Sequence, residues 1–417
     1  MYYKHIYIIG FIQRRLVLHM NDKALSTRLI HNGDGQYYKK IASYPSIPEV
    51  LPIYSTSVFA FDDVPSVDAI YDHETEGYIY SRIKHPNSDA VSEILASADD
   101  GEDALVFSSG MSAIVISVLS VVNPGDHILS SPVLYGGVHG FFQNELKRFG
   151  IDVTFVDFNS DNLEEYIRPN TKLLYTETIC NPLMAVPDIP RLSQIASRHG
   201  LLFFIDNTFA TSVVAKPLTL GADVVLYSAT KYLGGHSDIV AGAAIGSTSV
   251  IDKIRGKLVT YGAILGANDS WLLARSLRTL ELRVKQHSHN ALKVAEFLEG
   301  HSKIEKVFYP GLLSSPDHER AAAQFSKGLF GGMISVNLKG GEREASTVIA
   351  SLPTIKYVPS LAGTATTVSY AAKTSHRSFS KEQLDEVGIT YGQLRFSIGL
   401  EDAEDIISEI DGALDRI

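Results

Sequence analysis

Between about residues 84 and 275 the chain alternates short apolar runs with longer stretches whose apolar residues recur at three and four positions. The runs "ALVFSSG", "HILSSP", "DVTFVD", "KLLYTET", "LLFFIDN" and "DVVLYSAT" read as strands. The segments "GMSAIVISVLSVV", "GGVHGFFQNELKRFG" and "DIPRLSQIASRHG" read as helices between them. A strand exposes a side chain to each face in turn and a helix turns about every 3.6 residues, so a change of period marks a change of element. Alternation of the two predicts βαβ units and a largely parallel α/β sheet. The strands are apolar almost throughout, which fits a sheet covered on both faces.

The flanks have a different texture. Up to residue 83 the chain carries Pro45, Pro48 and Pro52, many polar residues and little sustained period. This predicts an extended arm of the kind that wraps a partner subunit. At its start the run "IYIIGFI" is too short to span a bilayer. The arginines follow it and no small-residue cleavage site is evident, so residues 1–20 read as a leader, or as a start placed upstream of Met20. The texture changes at about residue 276, within "SWLLARSLRTLELRVKQHSHNALKVAEFLEG", which starts at Ser270 and reads as one long amphipathic helix. "KIEKVFYP", "GGMISVNLKG" and "QLRFSIGLED" read as strands, and "EDAEDIISEIDGAL" as a closing helix. The division expected is therefore an arm (1–83), a large domain (84–275) and a smaller α+β domain (276–417).

Composition narrows the function classes. At 45% hydrophobic and 20% charged residues the 417-residue chain is a globular protein with ample core. A net charge of −10 and no basic stripe argue against nucleic-acid and anionic-membrane partners. The single cysteine, Cys180, excludes an internal disulfide, and no zinc-ligand spacing occurs, which points to a reducing, cytoplasmic setting without a metal. Cys180 itself reads as a small packed residue, or as a neighbour of the site because it follows Glu177 closely.

In a parallel sheet, ligands bind beyond the carboxyl ends of the strands. The predicted strands end at Ser108, Ser109, Gly110 and Met111; at Glu177 and Asn181; at Asp206 and Thr208; and at Ser228, Thr230 and Lys231. The dinucleotide and P-loop glycine motifs are missing, as are the zinc-protease and serine-hydrolase signatures. "SSGMSA" instead sits at a strand-to-helix turn, where Gly110 admits close approach and the amides of Gly110 and Met111 face an anion. Each feature has a plainer reading alone: a turn, a helix cap at Asp206, a solvent-reaching Lys231. A phosphate-binding turn, a strand-end acid and a strand-end lysine together are what pyridoxal phosphate requires for its phosphate, ring nitrogen and aldehyde. An acid about 4 Å from the ring nitrogen gains roughly 4 kcal/mol at an effective dielectric of 20. That equals roughly three pKa units, enough to keep the ring nitrogen protonated at neutral pH.

The chain resembles the Cys/Met-metabolism family of pyridoxal-phosphate enzymes over nearly everything from residue 25 onward. The resemblance is carried by "YIYSRIKHPNSD", "SSGMSAI", "LYGGVH", "ETICNP", "IDNTFAT", "SATKYLGGHSD" and "RFSIGLED", in that order. It implies the fold-type-I architecture, with a mostly parallel seven-stranded sheet. It makes Lys231 the Schiff-base lysine and proton shuttle, and Tyr135 the aromatic that stacks on the cofactor ring and assists proton transfer. Asp206 pairs with the ring nitrogen, and Thr208 is a further cofactor-binding residue. Gly110, Met111, Ser228 and Thr230 hold the phosphate, and Tyr80 and Arg82 reach the phosphate of a neighbouring subunit. Arg395 and Ser360 hold the substrate carboxylate with Asn181 close by, and Glu177 stands behind the site. His236 and His376 take structural roles. A homotetramer with shared sites follows.

The chemistry the resemblance implies is γ-elimination by a carbon–sulfur lyase on cystathionine, homocysteine or methionine, giving a 2-oxo acid, ammonia and a thiol. The alternative is a γ-replacement transferase using an O-acylhomoserine; a non-catalytic ligand-binding homologue is the remote one. The chain departs from the family pattern where substrate side chains are read. Lys84 and His85 stand in "YSRIKHPNS", Gly137 replaces the cysteine usual in methionine γ-lyases, Pro359 replaces a glutamate usual for cystathionine, and Ala365 replaces another acid. These changes leave the cofactor residues intact and put the question on the substrate.

Overall fold

The computed structural model describes residues 22–33, 48–374, 377, 379–386 and 388–417. His376, Pro45 and residues 1–20 lie outside the described residues. The protein is an α/β structure built on a seven-stranded sheet of order β1-β7-β6-β5-β4-β2-β3. The strands are β1 (Asp103–Phe107), β2 (His127–Ser130), β3 (Asp152–Phe155), β4 (Thr171–Glu177), β5 (Leu202–Asp206), β6 (Val224–Tyr227) and β7 (Gly242–Gly246). All run parallel except β7, which pairs antiparallel with both β1 and β6.

Side chains of successive strand residues go to opposite faces, and both faces are buried. Leu173, Tyr175, Phe204, Val224 and Leu226 pack in one apolar cluster; Leu174, Phe203, Ile205, Val225 and Tyr227 pack in another. The helices that cover the sheet start and stop where their ends are satisfied. Ile189–His199 begins with the Asp188 carboxylate accepting the Arg191 N–H, has Pro190 in its first turn, and ends on Gly200 at φ +63°.

The sequence reading named six of the seven strands. The seventh, "GAAIG", is wedged between β1 and β6, where a Cβ on Gly242 would lie 2.1 Å from the Ser109 carbonyl oxygen and one on Gly246 2.6 Å from that of Asp223. Close backbone approach demands small residues there, and small residues carry no strand signal.

A second sheet of order β10-β11-β12-β9-β8 lies in the C-terminal part, formed by β8 (Ile304–Phe308), β9 (Met333–Leu338), β10 (Lys356–Tyr357), β11 (Thr367–Ser369) and β12 (Gln393–Ser397). The long amphipathic helix expected before it is in fact two, Ala267–Leu277 and Leu280–Gly300. Arg283 bridges the interruption: its guanidinium donates to the Ser276 carbonyl (2.9 Å), which loses its helical partner at the break, and its Nε to Thr279 Oγ1 (3.2 Å). The N-terminal stretch expected to be extended carries two short helices, Leu25–His31 and Val64–Tyr71. The second opens on Asp63, whose carboxylate accepts the Ser66 N–H, with Pro65 in the first turn.

Candidate active site

The carboxyl ends of β1, β4, β5 and β6 open into one cavity of about 610 Å³. Gly110, Met111, Tyr135, Asn181, Asp206, Thr208, Ser228, Thr230, Lys231 and Arg395 all line it. Strand register brings the two acids together, because Glu177 pairs with Asp206 across β4 and β5.

The anion-binding corner is built by the first turn of helix Gly110–Val121. Ser109 caps it, its Oγ accepting the Ser112 N–H at 3.1 Å. A Cβ on Gly110 would fall 2.6 Å from Cβ of Ser228, so only glycine lets these two strand ends close. Thr208 Oγ1 accepts the Ser228 N–H at 2.8 Å and ties the next strand end to the same corner. Free amides at a helix start, with hydroxyls beside them, hold a phosphate without any special side chain. The Thr230 hydroxyl is engaged by Ala241, donating to its carbonyl and accepting its N–H at 3.0 Å, so its first task is to fix the Lys231 turn.

Lys231 leaves β6 through a turn held by backbone: its N–H donates to the Ser228 carbonyl at 3.1 Å, and Gly235 N–H donates to the Lys231 carbonyl at 2.7 Å. Gly235 sits at φ +71°, and a Cβ there would collide with the Arg283 guanidinium at 1.9 Å. That guanidinium donates to the Tyr232 carbonyl at 2.7 Å and so braces the turn from behind. The lysine Nζ meets Ser360 Oγ at 3.0 Å. Burial, helped by the charge of Arg395, pushes the Lys231 amine below its ordinary pKa, towards its nucleophilic form.

Asp206 is buried and accepts the Thr208 N–H at 2.9 Å. Burial raises its carboxyl to about 6, against the pull of Thr208. A buried acid so placed is satisfied by a cation, and a protonated ring nitrogen supplies one. Arg395, on β12, is buried against the Phe209 ring (5.8 Å) and donates to Asn181 Oδ1, while its Nε has no hydrogen-bond partner among the described residues. Burial pushes its pKa down to about 10. A dry guanidinium with an unmatched donor is a seat for a carboxylate. The residues present therefore fit pyridoxal phosphate at one end of the cavity and an amino-acid carboxylate at the other.

Several lining residues had no place in the sequence reading. Phe209, Lys373, Thr374 and Arg377 complete the cavity wall, with Ile114, Ile179, Val240 and Leu361 making it largely apolar. Arg283 left a trace that could have been read, as a basic residue within the buried stripe of Leu280, Val284, His287 and Ala291. Tyr80 and Arg82 lie away from this cavity. Arg82 donates to the Val259 carbonyl at 2.6 Å and borders a separate cleft of about 1120 Å³, which Lys231 and Asp206 do not line. Cys180 is buried and its thiol is pushed up by burial, which makes it a packed residue and not a nucleophile. Gly137 is under the Tyr135 ring: a Cβ there would lie 2.6 Å from Cε1, so a cysteine requires that ring to move. His236 bonds only locally, Nδ1 to the Gly234 carbonyl at 2.8 Å.

Fold and site together define a fold-type-I pyridoxal-phosphate enzyme. The chain belongs to the family of Cys/Met metabolism PLP-dependent enzymes, whose family model matches residues 27–415. It is 42% identical over 371 residues to an L-methionine gamma-lyase from Treponema denticola, covering 88% of this chain and 92% of the relative. It is 41% identical over 343 residues to a cystathionine gamma-lyase from Bacillus subtilis, covering 82% and 89%. A solved structure from Campylobacter jejuni, assigned as an O-acetylhomoserine (thiol)-lyase and containing N'-pyridoxyl-lysine-5'-monophosphate, superposes with a TM-score of 0.88 at 28% identity, covering 94% of this chain and 100% of that one. Pyridoxal phosphate is accordingly the cofactor of this enzyme.

Proposed function

We propose that the protein is a carbon–sulfur lyase that eliminates the γ-substituent of a thioether amino acid of the methionine, homocysteine and cystathionine class. With methionine the balanced reaction consumes one water and releases 2-oxobutanoate, ammonia and methanethiol. The observation that carries this reading is the single cavity in which Lys231, Asp206, Tyr135 and Arg395 meet beside apolar walls. Relatives at 42% and 41% identity are named for this elimination.

Bound in the cavity, the cofactor supplies an electron sink that stabilises negative charge on the substrate's α-carbon. Gly110, Met111 and Ser228 hold its phosphate with Thr208 and Thr230 behind them, and Asp206 faces its ring nitrogen. Arg395, with Asn181 and Ser360, holds the substrate carboxylate, so the α-carbon is presented to Lys231. The Lys231 amine removes the α proton and then moves protons at the β-carbon, for which its burial-lowered pKa prepares it. Tyr135 offers its phenol to the leaving sulfur. The apolar wall of Ile114, Ile179, Val240 and Leu361 accepts a thioether chain and keeps water back.

A panel of methionine, homocysteine, cystathionine and O-acylhomoserines tests the substrate class. Ammonia and 2-oxobutanoate are expected from one or more of the sulfur amino acids without an added thiol. Release of neither from any of them, with thiol-dependent consumption of an O-acylhomoserine, would establish the γ-replacement reading, which the similarity to an O-acetylhomoserine (thiol)-lyase keeps as the second one.

The placement of Tyr80 and Arg82 outside their own chain's cavity supports a site shared between two subunits; the assembly proposed is a dimer that pairs into a tetramer. Arg82→Ala and Lys231→Ala subunits mixed and co-refolded are expected to regain up to about a quarter of wild-type activity. That is the statistical yield of intact sites when each site draws on both chains; no recovery in verified hetero-oligomers would mean unshared sites. Among the described residues no helix is long and apolar enough to cross a membrane, and a cytoplasmic location is the proposal.

A further inference from the structure

Glu177 ends β4 as a buried residue of the cavity wall, and the roles proposed for its neighbours give it no chemical task. Its two oxygens are both used, and by different loops. Oε1 accepts the Tyr135 N–H at 2.6 Å, and Oε2 accepts the Asn181 N–H at 3.0 Å. Tyr135 opens helix Gly136–Gly140 with its side chain in the cavity. Asn181, through Oδ1, accepts from Arg395 Nη1. One rigid strand end therefore holds the main chain under the aromatic ring and the main chain under the carboxylate-binding pair.

We propose that Glu177 is a positioning residue that sets Tyr135 and the Asn181–Arg395 pair in register with each other across the substrate. The inference rests on the roles proposed above for Tyr135 and Arg395. The chemistry explains why a carboxylate is needed. Two N–H donors approach opposite ends of one side chain, and only a carboxylate presents an acceptor at both. A glutamine of the same shape presents an acceptor to one amide and an NH₂ to the other, so one loop is released whichever way the amide turns. Burial and the neighbouring Asp206 raise the Glu177 carboxyl, and the same two backbone donors, with Arg395, act against that rise by favouring the ionised form that accepts from both.

The test compares wild-type holoenzyme with Glu177→Gln. Loss of one charge-assisted bond is expected to raise KM for the amino acid about tenfold and to lower kcat about tenfold. In the cofactor-free protein, amide hydrogen exchange at either Tyr135 or Asn181 is expected to quicken by about tenfold or more while the sheet keeps its protection. In the double variant with Asn181→Ala, the KM increases are expected to combine less than additively, because Glu177 acts on KM through Asn181.

A purely structural Glu177 would lower the fraction of active enzyme at unchanged KM, with additive effects and unaltered exchange at both amides, and that result overturns the proposal. If Asn181→Ala alone leaves KM unchanged, the failure lies in the substrate-carboxylate reading instead. Should Glu177→Gln not fold, Glu177→Asp keeps the charge but is one methylene too short to span both amides. It is then expected to show the same KM and exchange changes in smaller measure, and wild-type values in that variant would overturn the proposal.

Discussion

Replacing Lys231 by alanine is expected to leave a folded protein whose turnover is lower by about 10⁴-fold, the upper end of what one general acid–base group supplies. The fold survives because the lysine side chain does little for it. Its Nζ makes one hydrogen bond, to Ser360 Oγ, while the turn is fastened by the Lys231 and Gly235 backbone and by Arg283. Removing an amine whose charge is already disfavoured by burial and by Arg395 relieves a cost, so the melting temperature is expected to stay within a few degrees of wild type. Chemistry, by contrast, loses both the covalent anchor for the cofactor and the base that reaches the α-carbon. Borohydride reduction followed by mass spectrometry should place the cofactor's mass on the Lys231 peptide of wild type and on no peptide of the variant. Product release within tenfold of wild type would remove Lys231 from the reaction.

Asp206→Asn is expected to cost roughly 10²–10³-fold in turnover, the order of the roughly three pKa units that an adjacent charge confers on the ring nitrogen. The cofactor-free protein should respond in the opposite sense. Asp206 has a folded-state pKa of about 6, above its ordinary value of 3.8, so the folded state holds that proton more tightly than the unfolded chain. Its contribution to stability is therefore intact below about pH 4 and is lost as pH rises towards 6. At pH 7 the unliganded wild type carries a buried, unmatched charge that asparagine removes. Melting curves at pH 7 should show the cofactor-free variant at least as stable as cofactor-free wild type, with a smaller gain on adding pyridoxal phosphate. An equal gain from the cofactor in both proteins would show that Asp206 does not face the ring nitrogen.

Much of this was written in the one-dimensional pattern. The apolar runs ending in Ser228, Asp206 and Glu177 became β6, β5 and β4 with those residues at their carboxyl ends. The reason is local: a strand buried on both faces is apolar along most of its length, so the polar residues that close the run mark the strand's carboxyl end even where, as at Asp206 and Glu177, they stay buried. Where tertiary contact overrides local signal, the pattern failed. β7 is small because its neighbours' backbones press on Gly242 and Gly246. The Ala267–Gly300 stretch keeps its amphipathic period through a break that Arg283 spans by reaching back to the Ser276 carbonyl.

The sequence by itself determined the family and the cofactor, and it put Lys231 and Asp206 at strand ends, because those depend on residue types at strand ends and on motifs in a fixed order. Only the tertiary structure decided which groups act together. Glu177 and Asn181 are near neighbours in sequence, yet the bonds from Glu177 to Tyr135 and from Asn181 to Arg395 join segments 42 and 214 residues apart. Such pairings are made by strand order and by the approach of Arg395 on β12 to Asn181 in the segment after β4. Directional bonds between distant segments leave no period or spacing in the chain, so the sequence could name the parts of this site and the fold alone could connect them.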